Sequence, residues 1–447
     1  MTGREAALKA LELARSRGLS AEAYYAMSHE MDIRCFGGKV DHFERAESGG
    51  LGVRVVCDGR AGLAYTEFMA DESIDETVTA AAEATEHLTP QQGVELCNWP
   101  AAPEVEGLEA PRIAGTPLER KIELALAAED AARSAGDEVV NVPWAGYAET
   151  SREVFLANTE GLERTKRMGC AQMYVQALAA RGEDRKTYFD FCFARKPEEL
   201  EPEKLGKLAG ETAISLLGAE QPRSGKLNVL FCPRAFAGLL GMFSSQFSGR
   251  SAEEKRTPLA GRLDEKIGAE ALSIIDDATA AGAPASRPFD DEGVPTGRMP
   301  VVENGVFRSF MHTAETARRA GAEPTGHGVR GFKGMPQVAP SNLTIPSGNA
   351  TPEELRAGAG IEILSVIGGA GANPVSGEFS LPMLGYLLVD GKRSSPLHNF
   401  TVAGSFEEML KNVAGVGSDF EYGAPSMSAA FGCGSILVAG LSVAGRQ

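Results

Sequence analysis

LGVRVVCDGRAGLAYT, residues 51–66, reads as two strands folded back on each other. Apolar and polar residues alternate on both sides of Asp58-Gly59, a pair that tolerates the positive φ angles of a tight hairpin turn. Upstream, Gly37-Gly38 breaks a second run of alternating residues. Ala7, Leu8, Leu11 and Ala14 before it fall on one face of a helix. A further helix over about 72–88 closes a unit spanning 1–88. Helix, antiparallel strands, helix: the hairpin places this part of the chain in the α+β class.

Working outward, residues 89–117 are proline-rich without a regular apolar period and read as a linker. The plan then recurs over 118–222. Leu118, Ile122, Ala125 and Leu126 mark a helix, strands run from about 139 to 195 with turns at Glu160-Gly161 and Arg181-Gly182, and a helix covers about 200–218. Similarity between the two units is weak, so an internal duplication is only suggested. Residues 223–447 have a different texture. KLNVLFCP (226–233) is a buried strand entering a helix through Pro233, and short strands punctuated by Gly, Pro and Asn follow. That spacing predicts a mixed, largely antiparallel β-rich domain with a curved or barrel-like core. Residues 278–298 read as a loop-rich insertion.

The formal net charge of −17 over 447 residues argues against a nucleic-acid or anionic-membrane surface. The basic cluster RTKR (164–167) reads as a solvated strand edge. No stretch reaches the ~18 apolar residues of a membrane span, and the N-terminus is an amphipathic helix without the h-region of a signal peptide. The seven cysteines are scattered with no C-x-x-C, which suits reduced, mostly buried thiols in a cytoplasmic protein.

Catalytic motifs are missing. No two of the six histidines form a helical ligand pair. His29-Glu30 begins like H-E-x-x-H, but position 33 is Ile and the stretch is strand-like. GHGVRG (326–331) spells G-x-G-x-x-G without a preceding buried strand. The acidic cluster Asp290-Asp291-Glu292, with Arg287 beside it, has two readings. It could bind a cation or a peptide amine, or it could be a turn whose carboxylates accept backbone N–H bonds with Arg287 as counter-charge. Arg287, Asp290, Asp291 and Glu292 are the candidate peptide- or ligand-binding residues.

Four separated blocks nonetheless resemble one family in the right order: ESGGLGVRVVCDGRAGLAYT (47–66), SRPFDDEGVPTGRMPVVENGVFRSFMHTAETARRAG (286–321), NPVSGEFSL (373–381) and FTVAGSFEEMLKNVAGVGSDFE (400–421). The chain is similar over nearly its full length to the TldD/PmbA family, also described as modulators of DNA gyrase. The resemblance implies two types of chain. The TldD type is a zinc metallopeptidase subunit with H-E-x-x-x-H on the helix after the first C-terminal strand and a cysteine ligand downstream. The TldE, or PmbA, type pairs with it. Here that helix reads Gly241-Met242-Phe243-Ser244-Ser245-Gln246, so Gly241, Met242 and Gln246 stand where two ligands and the base would be, and Cys433 is too near the final strand to match the ligand cysteine. Neither catalytic nor metal residues are expected in this chain.

The resemblance therefore implies a TldE/PmbA-like, non-catalytic subunit of a cytoplasmic metallopeptidase complex that degrades unstructured peptides. The zinc would be held by a TldD-type partner, and a peptide could add as a strand to a sheet edge. The alternative is a stand-alone, homodimeric peptide- or ligand-binding protein without hydrolysis. Neither reading calls for nucleic acid or membrane.

Overall fold

The computed structural model of the chain describes residues 1–447 except 109–112, 114, 425 and 447. Helix α1 (Gly3–Ser16) opens on a capping box in which Thr2 and Glu5 satisfy each other's backbone N–H. Its buried stripe is Ala6, Ala7, Ala10, Leu11 and Ala14. Strands β1 (Ser20–Phe36), β2 (Lys39–Cys57) and β3 (Arg60–Thr66) follow, and then helix α2 (Asp71–Glu86). Asp58 and Gly59 both have positive φ, +50° and +74°, as the tight turn requires. The plan repeats as α3 (Leu118–Arg133), β4 (Val139–Asn158), β5 (Glu163–Arg181), β6 (Asp184–Ala194) and α4 (Pro202–Ser215).

The two units share one sheet. Its order is β3-β2-β1-β4-β5-β6, with β1 and β4 antiparallel at the centre. The order mirrors itself about that central pair, a symmetry the weak sequence similarity only hinted at. Side chains alternate across the sheet. Ala21, Ala23, Leu51 and Val53 pack under the first helix pair and Ile33, Cys35, Ala145 and Val175 under the second. Tyr24, Ala26, Val154 and Leu156 face the other way, where Leu162, Trp99 and Phe332 cover them. Trp99 comes from the segment read as a linker; its indole N–H donates to the Glu292 carbonyl at 3.1 Å.

The C-terminal part is largely antiparallel, as expected. Strand β7 (Gly225–Phe231) runs parallel to Ile361–Val366 and antiparallel to Ile436–Ala444. Glu378–Val389 and Lys392–Ser405 continue the sheet. Pairs such as Val402 with Val443 then join its two ends, so five strands close into a barrel. A second sheet of short strands lies alongside. Helix α5 (Pro233–Phe243) follows β7 and buries Phe236, Leu239, Leu240 and Phe243 in the main core. Residues 278–297 are irregular, as the sequence suggested. They are a buried plug and not a surface insertion: Ala285, Phe289, Asp290 and Val294 are all at most 4% exposed.

Among the described residues no helix is long and apolar enough to cross a membrane. All seven cysteines are unpaired, but only Cys35 and Cys433 are fully buried. The expectation of mostly buried thiols therefore holds for a minority of them.

Candidate functional site

Helix α5 starts with Pro233 in its first turn, where the missing N–H costs nothing, and ends at Phe243. A tighter 3₁₀ turn, Ser244–Phe247, takes over. This change of helix type falls between Gly241 and Gln246, the positions matched to the two histidines of H-E-x-x-x-H. On a continuous α-helix, positions five apart point about 140° away from each other. The local backbone is therefore not a regular helix across the motif, yet the side chains cannot hold a metal.

The three motif positions show why. Gly241 offers no donor, and a Cβ added there would lie 3.0 Å from the Phe431 ring. Met242 offers a thioether, a poor ligand for zinc and no base. Gln246 is 2% exposed and its side-chain amide donates to the Pro374 carbonyl at 2.9 Å. Its position is fixed by protein and leaves no carboxylate or imidazole for a metal. Cys433 is buried, and its thiol donates to the Pro233 carbonyl at the other end of α5. Among the described residues no three His, Cys, Asp or Glu side chains gather as a metal site.

Beside the helix is a cleft of about 410 Å³. Ala235, Gly238 and Met242, spaced i, i+3, i+7, form one wall, so the position matched to the catalytic base opens onto it. Opposite lie Thr187–Phe191 of β6, and Ser365–Ile367 form another border. Strand β6 is the last of its sheet. Arg234 is the main charge in the cleft. It lies 4.6 Å over the Phe191 ring, bonds to Glu421 at 2.8 Å and pairs with the buried Asp190. Sequence reading missed this cleft. The only signal was TYFDFC (187–192), a strand with bulky residues on both faces.

The residues singled out at 287–292 lie elsewhere, buried where the C-terminal part meets the first sheet. Asp290 accepts N–H bonds from Glu292, Val294 and Gly328. Asp291 pairs with Lys166 at 2.8 Å and accepts from the Tyr24 hydroxyl and the Arg330 N–H. Glu292 accepts from the Ala314 N–H, at the start of the helix Ala314–Ala320. Burial and the adjacent Asp290 charge push the Glu292 carboxyl up to about 7. Burial also opposes the Asp291 charge, but Lys166 and Arg152 outweigh it and hold that carboxyl well below its usual range.

Two readings need correction. The turn with backbone N–H donors is present, but Arg287 is not its counter-charge; Arg287 donates to the Ser428 carbonyl, and Lys166 is the ion partner. Nor is RTKR simply a solvated edge, because the Lys166 side chain is 2% exposed. The plug lies on that face of the sheet and removes it from water. Arg167 does stay at the surface, paired with Glu153. GHGVRG closes the same network: a Cβ on Gly328 would meet the Glu292 carboxylate at 2.6 Å.

Family models for PmbA/TldA metallopeptidase domain 1, the central domain and the C-terminal domain match residues 21–85, 111–217 and 224–445. The metalloprotease PmbA of Escherichia coli O157:H7 is 25% identical, covering 99% of this chain and 96% of its own length. A solved structure of a candidate modulator of DNA gyrase from Thermotoga maritima is 30% identical with a TM-score of 0.90, covering 99% of this chain and 100% of that one. TldE from Thermococcus kodakarensis has the same fold, with a TM-score of 0.88, 22% identity and coverage of 98% and 100%.

Proposed function

Because the chain belongs to the PmbA/TldD family of metallopeptidases, we propose that it is a non-catalytic, TldE/PmbA-type subunit of a cytoplasmic complex that degrades unstructured peptides. A TldD-type subunit holds the zinc in this reading. The observation that carries it is the packing at Gly241: the family's ligand position lacks a side chain and is roofed by Phe431. Met242 and Gln246 supply neither base nor ligand, so no hydrolytic step is assigned to residues of this chain. A chain that keeps the family fold over its whole length without that chemistry contributes by binding, to a partner and to peptide.

Recovery of the tagged chain from its native host tests the partnership. A TldD-type subunit should co-purify in stoichiometric amount, with zinc in the assembled complex. Recovery of the chain as a homodimer alone, from cells that make a TldD-type subunit, would support the stand-alone binding protein instead.

A further inference from the structure

We propose that Asp290 and Glu292 form a proton-operated latch. While the pair keeps one proton, it clamps the buried 278–297 plug to the 89–117 segment and to the start of the helix Ala314–Ala320; when that proton leaves, this seam opens locally. The latch belongs to the fold and does not depend on the subunit reading.

Two buried carboxyl groups converge on Gly328. A Cβ there would lie 2.6 Å from Glu292 Oε2 and 3.0 Å from Asp290 Oδ2, and both residues are buried. Carboxylates held this close, away from water, do not readily ionise together unless a cation joins them. The cations that pack around them are committed elsewhere. Lys166 pairs with Asp291, Arg54 and Arg330 both bond to Glu22, and His327 faces Asp276 at 3.0 Å. Arg152 donates to the Tyr24 hydroxyl, Arg164 to the Trp99 carbonyl and Arg287 to the Ser428 carbonyl. From the 314–320 helix, Arg318 pairs with Glu95. The His312 ring meets Thr316, and burial beside His327 lowers its pKa to about 4, so it is neutral near pH 7. Among the described residues, neither Asp290 nor Glu292 has an ion-pair partner; Arg54 acts on Glu292 only at a distance.

Main-chain donors decide where the proton sits. Asp290 accepts N–H bonds from Glu292, Val294 and Gly328, whereas Glu292 accepts from Ala314 alone. Such bonds favour the charged form, so the charge stays on Asp290 and the proton on Glu292. Burial raises both carboxyls, and the Asp290 charge helps carry Glu292 to about 7.

The same two residues tie distant segments together. The Glu292 carbonyl accepts from the Trp99 indole at 3.1 Å, its carboxyl from the Ala314 N–H at 2.8 Å, and Asp290 from the Gly328 N–H at 2.8 Å. A second negative charge raises the energy of the closed seam, and water entering an opened seam relieves it. The sign follows from linkage. The closed seam holds a proton that an opened one releases, so opening is hardest below the ordinary value of 4.5, eases as pH rises to about 7 and is constant above it.

Native-state hydrogen exchange on the full chain, corrected for intrinsic rates, tests this. The amides of Glu292, Val294, Ala314 and Gly328, which donate to the two carboxyl groups, should exchange at least about tenfold faster than those of Leu239–Phe243 in α5, the mark of a local opening. Their opening constant should rise by up to about tenfold per pH unit between pH ~5 and ~7 and level off above. Glu292→Gln, neutral and nearly isosteric, should abolish that rise. Asp290→Asn removes the neighbouring charge and should move the levelling point to lower pH; if it does not fold, Glu292→Gln decides alone. Seam amides that exchange only at the α5 rate, or a flat profile in the parent, would overturn the proposal. So would an equal rise in Glu292→Gln, or an unmoved levelling point in folded Asp290→Asn.

Discussion

Phe431 lies over Gly241 so closely that a Cβ on the glycine would sit 3.0 Å from its ring. The helix position that in TldD-type chains is expected to carry a histidine is here closely approached by a neighbour's side chain. Restoring H-E-x-x-x-H in spelling should therefore fail. The triple change Gly241→His, Met242→Glu, Gln246→His forces an imidazole against a packed ring and breaks the Gln246–Pro374 bond. Overpacking of this kind costs about 1–3 kcal/mol. Calorimetry should show a lowered midpoint, and zinc titration should show no tight stoichiometric site. Chelator-sensitive peptidase activity in the triple variant would mean the surrounding shell is still competent.

Phe243 should behave as core. It stacks on Phe406 at 4.7 Å and is 0% exposed. Phe243→Ala should destabilise the chain by roughly 3–5 kcal/mol, and Leu239→Ala by roughly 2–5 kcal/mol. Chemical unfolding midpoints unchanged in both variants would show that α5 is not packed as described.

The Lys166–Asp291 pair should be far costlier to break than a surface pair. Both side chains are at most 6% exposed, so removing one partner strands a buried charge. Lys166→Met is expected to cost about 3–5 kcal/mol. The double variant with Asp291→Asn should cost clearly less than the two single changes summed. Additive costs in that cycle would show that the two groups do not interact.

Glu292 sets a pH dependence of defined sign. Its folded pKa is raised from 4.5 to about 7. The folded state therefore holds a proton that the unfolded chain releases, and this contribution to stability is present below the unfolded value and lost as pH rises from about 4.5 to about 7. The slope from this group is on the order of 1 kcal/mol per pH unit at most. Glu292→Gln, which stays neutral throughout, should flatten the fall and be more stable than the parent at pH ~8. A parent whose stability rises over that window, unchanged by the substitution, would contradict the assignment.

What the sequence disclosed follows the range of the interactions concerned. Asp58-Gly59 is a local signal, and its hairpin is there. Helix α5 shows its apolar period and its proline start within a dozen residues. Barrel closure through Val402 and Val443, and the ion pair of Lys166 with Asp291, join distant segments, and no local pattern encodes them. RTKR looked solvated because charge pattern alone cannot show that a plug from the C-terminal part covers Lys166. The cleft was invisible for the same reason, since its walls come from β6, α5 and the strand Ile361–Val366. The meaning of Gly241, Met242 and Gln246 came only through resemblance, because an absent side chain carries no signal by itself.

In the proposed complex this chain binds and its partner cuts. The direct measurement is zinc content and chelator-sensitive hydrolysis of an unfolded casein-like substrate, made on the purified chain alone and on its complex with a TldD-type subunit. The chain alone should hold no stoichiometric zinc and leave the substrate intact, while the complex contains zinc and degrades it. About one zinc per chain, or hydrolysis that a chelator abolishes in the isolated chain, would contradict the claim.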